Sequence, residues 1–137
     1  MYKKILVPVD LSHADRLQKA LETGADLAAH YGAAVCYVGV TSGVPGPTGH
    51  NPAEYEAKLK DFAQGESKRR GHPAEAKAYV SHDPARDLGQ TLLKAVHELG
   101  ADLVVMASHV PGIPEHIFSS NAGYLASHAD VSVLVVR

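Results

Sequence analysis

Two runs in this chain, Leu103-Val104-Val105-Met106 and Val133-Leu134-Val135-Val136, are apolar at every position. A strand with one solvent face alternates apolar and polar residues, so an unbroken apolar run expects cover on both faces. A parallel sheet held between two layers of helices supplies that cover. The rest of the chain is laid out to build one. Segments of strand character stand at KKILVPVD (3–10), AAVCYVGV (33–40), AEAKAYV (74–80), ADLVVMAS (101–108) and VSVLVVR (131–137). Four are rich in Val, Ile and Leu, and one in Ala.

Helical period fills the intervals. Leu17, Ala20, Leu21, Gly24, Ala25 and Ala28 share one face of a first helix. Tyr55, Leu59, Phe62 and Ala63 share a face of a second. Ala85, Leu88, Leu92, Ala95, Val96 and Leu99 do so in a third, and Ala122, Leu125 and Ala129 in a short fourth. Ser12 is a candidate cap for the first helix, and the pairs Asn51-Pro52 and Asp83-Pro84 suit a cap and first turn for the next two. Gly32, Gly71 and Gly100 fall where helices close. The alternation predicts one α/β domain over residues 1–137, a doubly wound, five-stranded parallel sheet with helices on both faces. With right-handed crossovers its order is 3-2-1-4-5. The stretch 41–52, TSGVPGPTGHNP, is a turn-rich loop, and no internal repeat is present.

Composition narrows the function classes. The 137 residues carry 13 Lys and Arg against 15 Asp and Glu, a formal charge of −2, with no basic half to track a nucleic-acid backbone. The one cysteine, Cys36, lies in an apolar run and reads as a buried, inert thiol. The N-terminal apolar run is too short for a signal peptide, and none approaches the ~18 residues of a membrane span. The expectation is a cytoplasmic protein, not embedded in a membrane and with no nucleic-acid partner.

In a sheet of this order, a ligand binds beyond the carboxyl ends of the strands where the winding reverses, between strands 1 and 4. Pro8, Val9 and Asp10 stand on one side of that point, and Met106, Ala107, Ser108 and His109 on the other. A carboxylate at Asp10 can accept from ribose hydroxyls or an adenine amino group; equally, it can cap the first helix or bind a backbone N–H. Ser119-Ser120-Asn121 reads as the start of the fourth helix, where free N–H groups and a partial positive charge suit an anion. Gly112 supplies the one flexible residue of the preceding loop, between Pro111 and Ile113. Neither a GxxxxGK pattern nor GxGxxG is present, and from spacing alone Ser-Ser-Asn is better explained as a cap than as a phosphate site.

Nine histidines are present, none paired at i, i+4 and none accompanied by a CxxC, so no metal site is expected and most read as surface or loop residues. His109 sits at the crevice by position; His82 lies on the same rim, and His116 is within reach of a phosphate from its loop. Ser108, His109 and Asp10 do not make a hydrolase triad, because neighbours on a strand end point apart and no GxSxG elbow exists. No catalytic residue is assigned.

KKILVPVDLS, DLVVMASH and SSNAGYLASHADVSVLVVR resemble the universal stress protein family across the whole chain. ASH-x-P followed by SNA and SVLVVR is similar to its short single-domain F- and G-type members. The resemblance implies a five-stranded α/β fold, a homodimer through the last strand, and an adenine nucleotide in the crevice: ATP or another, with or without Mg. It implies a site of Pro8, Val9, Asp10, Val40, Met106, Ala107, Ser108, His109, Gly112, Ser119, Ser120 and Asn121. The family's nucleotide motif is G-x2-G-x9-G-S/T. Here Val110 or Pro111 takes the place of the first glycine and Ser119 that of the third, and a Cβ at that point limits the approach of backbone to phosphate. AMP or ADP is therefore expected to be preferred over ATP. Slow ATP hydrolysis or autophosphorylation, a family trait, would fall on Ser119 or Ser120. The alternative is a dimeric scaffold of the same fold, without nucleotide, acting on an unknown protein partner.

Overall fold

The computed structural model describes residues 1–108 and 115–137, and for 115–120 the backbone alone. Five strands alternate with four helices: β1 (Lys4–Pro8), α1 (Gln18–Tyr31), β2 (Ala34–Thr41), α2 (Pro52–Arg70), β3 (Ala74–Val80), α3 (Pro84–Leu99), β4 (Leu103–Ala107), α4 (Glu115–His128) and β5 (Ser132–Val136). All strand pairs are parallel, in the order β3-β2-β1-β4-β5. Right-handed crossovers put α1 and α2 on one face and α3 and α4 on the other. Side chains agree: Arg70 of α2 donates to Gln18 Oε1 of α1 at 2.8 Å, and α3 packs along α4.

The two-sided burial expected of the apolar runs holds at the centre of the sheet. Every residue of β4 is buried, as are Ile5, Leu6 and Val7 of β1. It does not hold at the edge. Among the described residues β5 pairs only with β4, and Leu134 and Val135 remain 38 % and 37 % exposed. The caps at Asn51 and Asp83 form as expected, with side-chain oxygens accepting from Glu54 N (2.8 Å) and Arg86 N (3.2 Å). Gly32, Gly71 and Gly100 close their helices in the left-handed conformation. Burial pushes the Cys36 thiol up to about 12, with the charge of Glu75 adding to it, so the inert reading stands.

Two helix starts differ from expectation. Ser12 does not cap α1. Asp10 captures the Ser12 N–H first, and the chain passes through a 3-10 segment (Leu11–Arg16) before α1 opens at Gln18 without a side-chain cap. The second case is α4, which begins at Glu115 rather than at Ser119-Ser120-Asn121. No Gly or Pro interrupts residues 115–121, and an acidic residue in the first turn suits the positive end of the helix dipole. The Ser-Ser-Asn triplet is thus a full turn inside the helix, where its backbone N–H groups fall within the reach of the helix's own ladder.

Candidate functional site

Helical period in α3 runs past the point where the core ends. Leu92, Ala95 and Val96 are buried, but Leu88 is half-buried and Ala85 exposed on the same face. These last two, with Pro84, form one wall of a cavity of about 380 Å³. Pro8, Val9 and Asp10 at the end of β1 form its floor, and Val38, Val40 and Ser42 of β2 and its following loop close it. The cavity lies beyond the carboxyl ends of β1 and β2, on the β2 side of the expected β1/β4 crevice, because α3 covers that side of the sheet and no residue of β4 lines it. Its walls are mainly apolar, suited to a flat, weakly hydrated ring, with Asp10 and Ser42 as the side chains able to fix orientation.

Asp10 is held on two sides. Its Oδ1 accepts from Ser12 N at 3.0 Å, and its Oδ2 stands 2.9 Å from Nδ1 of His13. The side chain is nevertheless 26 % exposed and lines the cavity. Asp10 thus caps the 3-10 segment and also borders the cavity. Below it, Tyr55 enters from α2. Its phenol is driven well above its ordinary range, first by burial and then by the negative charge of Asp10. Tyr55 belongs to the face expected for α2, but its proximity to Asp10 had no signature in helical period.

Of the residues expected at the site, Pro8, Val9, Asp10 and Val40 come together on the cavity wall. Met106 is wholly buried and Ala107 nearly so in β4, and neither lines the cavity. Ser108 donates its N–H to Val136 O at 2.9 Å, extending the β4–β5 ladder. Asn121 is 7 % exposed and points at α3: a Cβ built on Gly89 would lie 3.0 Å from its Oδ1. His109 and Gly112 lie outside the described residues, as do the side chains of His116, Ser119 and Ser120. His82 borders a separate, more polar depression of about 360 Å³ beside β3. Among the described residues no three His, Cys, Asp or Glu are grouped to hold a metal ion.

Val38, Ser42, Pro84, Ala85, Leu88 and Leu92 complete the cavity, and none of them is among the site residues expected from the sequence. The available signal was the Asp83-Pro84 cap. It starts a helix on the same rim as the strand ends, so the first apolar residues of that helix face the crevice before they reach the core.

Comparison with known proteins agrees with this architecture. A model of the universal stress protein family matches residues 1–137. Universal stress protein G of Salmonella typhimurium is 32 % identical, with both chains covered in full. A structure of a universal stress protein family member from Burkholderia pseudomallei superposes with a TM-score of 0.70 at 27 % identity, over 98 % of this chain and 96 % of that one. The universal stress protein of Archaeoglobus fulgidus in complex with dAMP gives 0.70 at 22 % identity, over 99 % and 98 %.

Proposed function

Because the chain belongs to the universal stress protein family, we propose that it is a cytoplasmic stress-response regulator that binds an adenine nucleotide beside the ends of β1 and β2. The observation that carries the reading is an apolar cavity beyond the ends of β1 and β2, walled by α3, with a fixed carboxylate, Asp10, on its wall. The base packs between Val38, Val40 and Leu88, and Asp10 accepts hydrogen bonds from the sugar or the exocyclic amine. The dAMP complex of the Archaeoglobus fulgidus protein, a chain of the same fold, supports this choice of ligand. Serine stands at residue 119 in place of the last glycine of the family's motif, and its Cβ favours AMP or ADP over ATP. The protein acts as a regulator read by a partner, not as a catalyst.

Isothermal titration calorimetry with AMP, ADP and ATP, with and without Mg, tests this. AMP or ADP binds more tightly than ATP, and Asp10→Asn weakens binding about tenfold, the order of a lost hydrogen bond to a charged acceptor. An absence of binding to all three at millimolar concentration overturns the reading and leaves the scaffold function ahead.

A homodimer through β5 is part of the same proposal. Val136 O accepts from Ser108 N–H, so the backbone groups of Val136 face β4 and those of Val135 face outward. An open edge flanked by exposed Leu134 and Val135 is a pairing surface. Val135→Pro removes an outward N–H without breaking the β4 ladder. In analytical ultracentrifugation the parent sediments as a dimer and the variant as a monomer; a monomeric parent refutes the assignment.

A further inference from the structure

We propose that His13 is a positioning residue that fixes the Asp10 carboxylate for the two hydroxyls of a ribose, and so makes the site select ribonucleotides over 2′-deoxyribonucleotides. The inference rests on the nucleotide reading above and names what that site selects. Asp10 ends β1 with extended backbone (φ −95°, ψ 106°). Nothing in a strand end by itself fixes where its carboxylate points. Two contacts do so here, one on each oxygen: Ser12 N–H on Oδ1 and His13 Nδ1 on Oδ2. A carboxylate only accepts, so Nδ1 carries the proton and donates.

His13 reaches this position through a break in the 3-10 segment. Its backbone is non-helical (φ −131°, ψ 25°), and its N–H donates to Asp10 O at 3.0 Å. The turn folds the imidazole back over the carboxylate instead of out along the helix. An ionised carboxylate offers about four acceptor sites, and these two contacts occupy one on each oxygen. The remaining sites lie in a fixed plane on the cavity wall. A vicinal diol presents two donors at a fixed separation, which a carboxylate receives best when its plane cannot turn. A 2′-deoxyribose presents one donor and gains less from the fixed plane.

The test compares AMP with 2′-deoxyAMP by calorimetry in the parent, His13→Leu, His13→Asn, His13→Gln and Asp10→Asn, each verified as folded by circular dichroism. His13→Leu weakens AMP about tenfold and 2′-deoxyAMP much less, so the ratio of the two affinities falls toward one. The Asn side chain carries its amide nitrogen at the same bond distance from Cα as the imidazole Nδ1, so His13→Asn restores the ratio. His13→Gln, one bond longer, does not. If the parent binds AMP and Asp10→Asn weakens it about tenfold while His13→Leu keeps affinity and ratio intact, the His13 assignment falls and the nucleotide reading stands. If His13→Leu weakens both ligands equally and Asn fails to rescue, His13 serves only the fold and the proposal is overturned. A parent that binds neither ligand removes the nucleotide reading, and this one with it.

Discussion

Gly39→Ala destabilises the protein by about 2 kcal/mol, the scale of an overpacked core, and lowers its melting temperature by roughly 5–10 °C. Gly39 lies within β2, where a glycine ordinarily weakens a strand. Its presence is explained by Tyr55. A Cβ at residue 39 would stand 3.0 Å from Cε1 and Cζ of that ring and closer still to its hydroxyl. The ring is buried between α2 and the sheet, at 4 % exposure, and has no open side into which to retreat. The added methyl therefore moves the ring, the start of α2, or both. Thermal denaturation reads the loss. Tyr55→Phe removes the nearest atom, so the double variant Gly39→Ala/Tyr55→Phe loses less than the sum of the two single changes, the signature of residues in contact. An unchanged melting temperature for Gly39→Ala would mean that Tyr55 does not sit over β2 in solution. The same substitution reaches the site, because Tyr55 lies close enough to Asp10 to feel its charge.

Tyr55 also marks a boundary of what the sequence makes legible. Apolar runs and helical period reveal which residues face the core, because burial is a property of a whole face and repeats along it. Strand order followed from those runs together with the handedness of crossovers. Contacts made by the tips of long side chains do not repeat, and period carries no trace of them. The phenol of Tyr55 near Asp10 is one such contact. Glu66 is another: it continues the buried face of α2 beyond Ala63, where a carboxylate is unexpected, because Arg69 and Arg70 both reach back to its Oε2. Arg69 follows it at i+3 and Arg70 at i+4, but a sequence does not say that such pairs will be drawn inward.

Competition for caps blurred the helix starts in a similar way. Ser12 and Asp10 are both good capping residues, and propensity ranks them about equally. The outcome was decided by Asp10 leaving β1 in extended conformation, two residues ahead of the N–H that it accepts. At α4, Ser-Ser-Asn carries the composition of a cap but stands inside a helix already begun at Glu115. Met106 shows a different limit. Position near a strand end does not tell whether a side chain has yet emerged from the sheet, and that of Met106 has not.

Ala85→Trp abolishes nucleotide binding, by at least about a hundredfold, while leaving the melting temperature close to that of the parent. The expectation follows from the division within α3. Leu92, Ala95 and Val96 hold the helix to the sheet, and Ala85, a turn and more before them, contributes to the cavity and not to the core. An indole is a fused two-ring system about the size of adenine, so on the wall of a cavity of about 380 Å³ it takes the space that the base needs. Because the position is exposed, the indole needs no rearrangement of packed neighbours, and surface substitutions away from core contacts usually change stability by no more than ~0.5 kcal/mol. Calorimetry and thermal denaturation on one preparation separate the two quantities. Full stability with full affinity would move the ligand to another part of the crevice and detach the function from this cavity. A large loss of both would mean that Ala85 belongs to the core after all. Loss of binding with the fold intact also provides a nucleotide-free protein in which the β5 edge is unaltered, so any partner that still binds it does so through the scaffold and not through the state of the site.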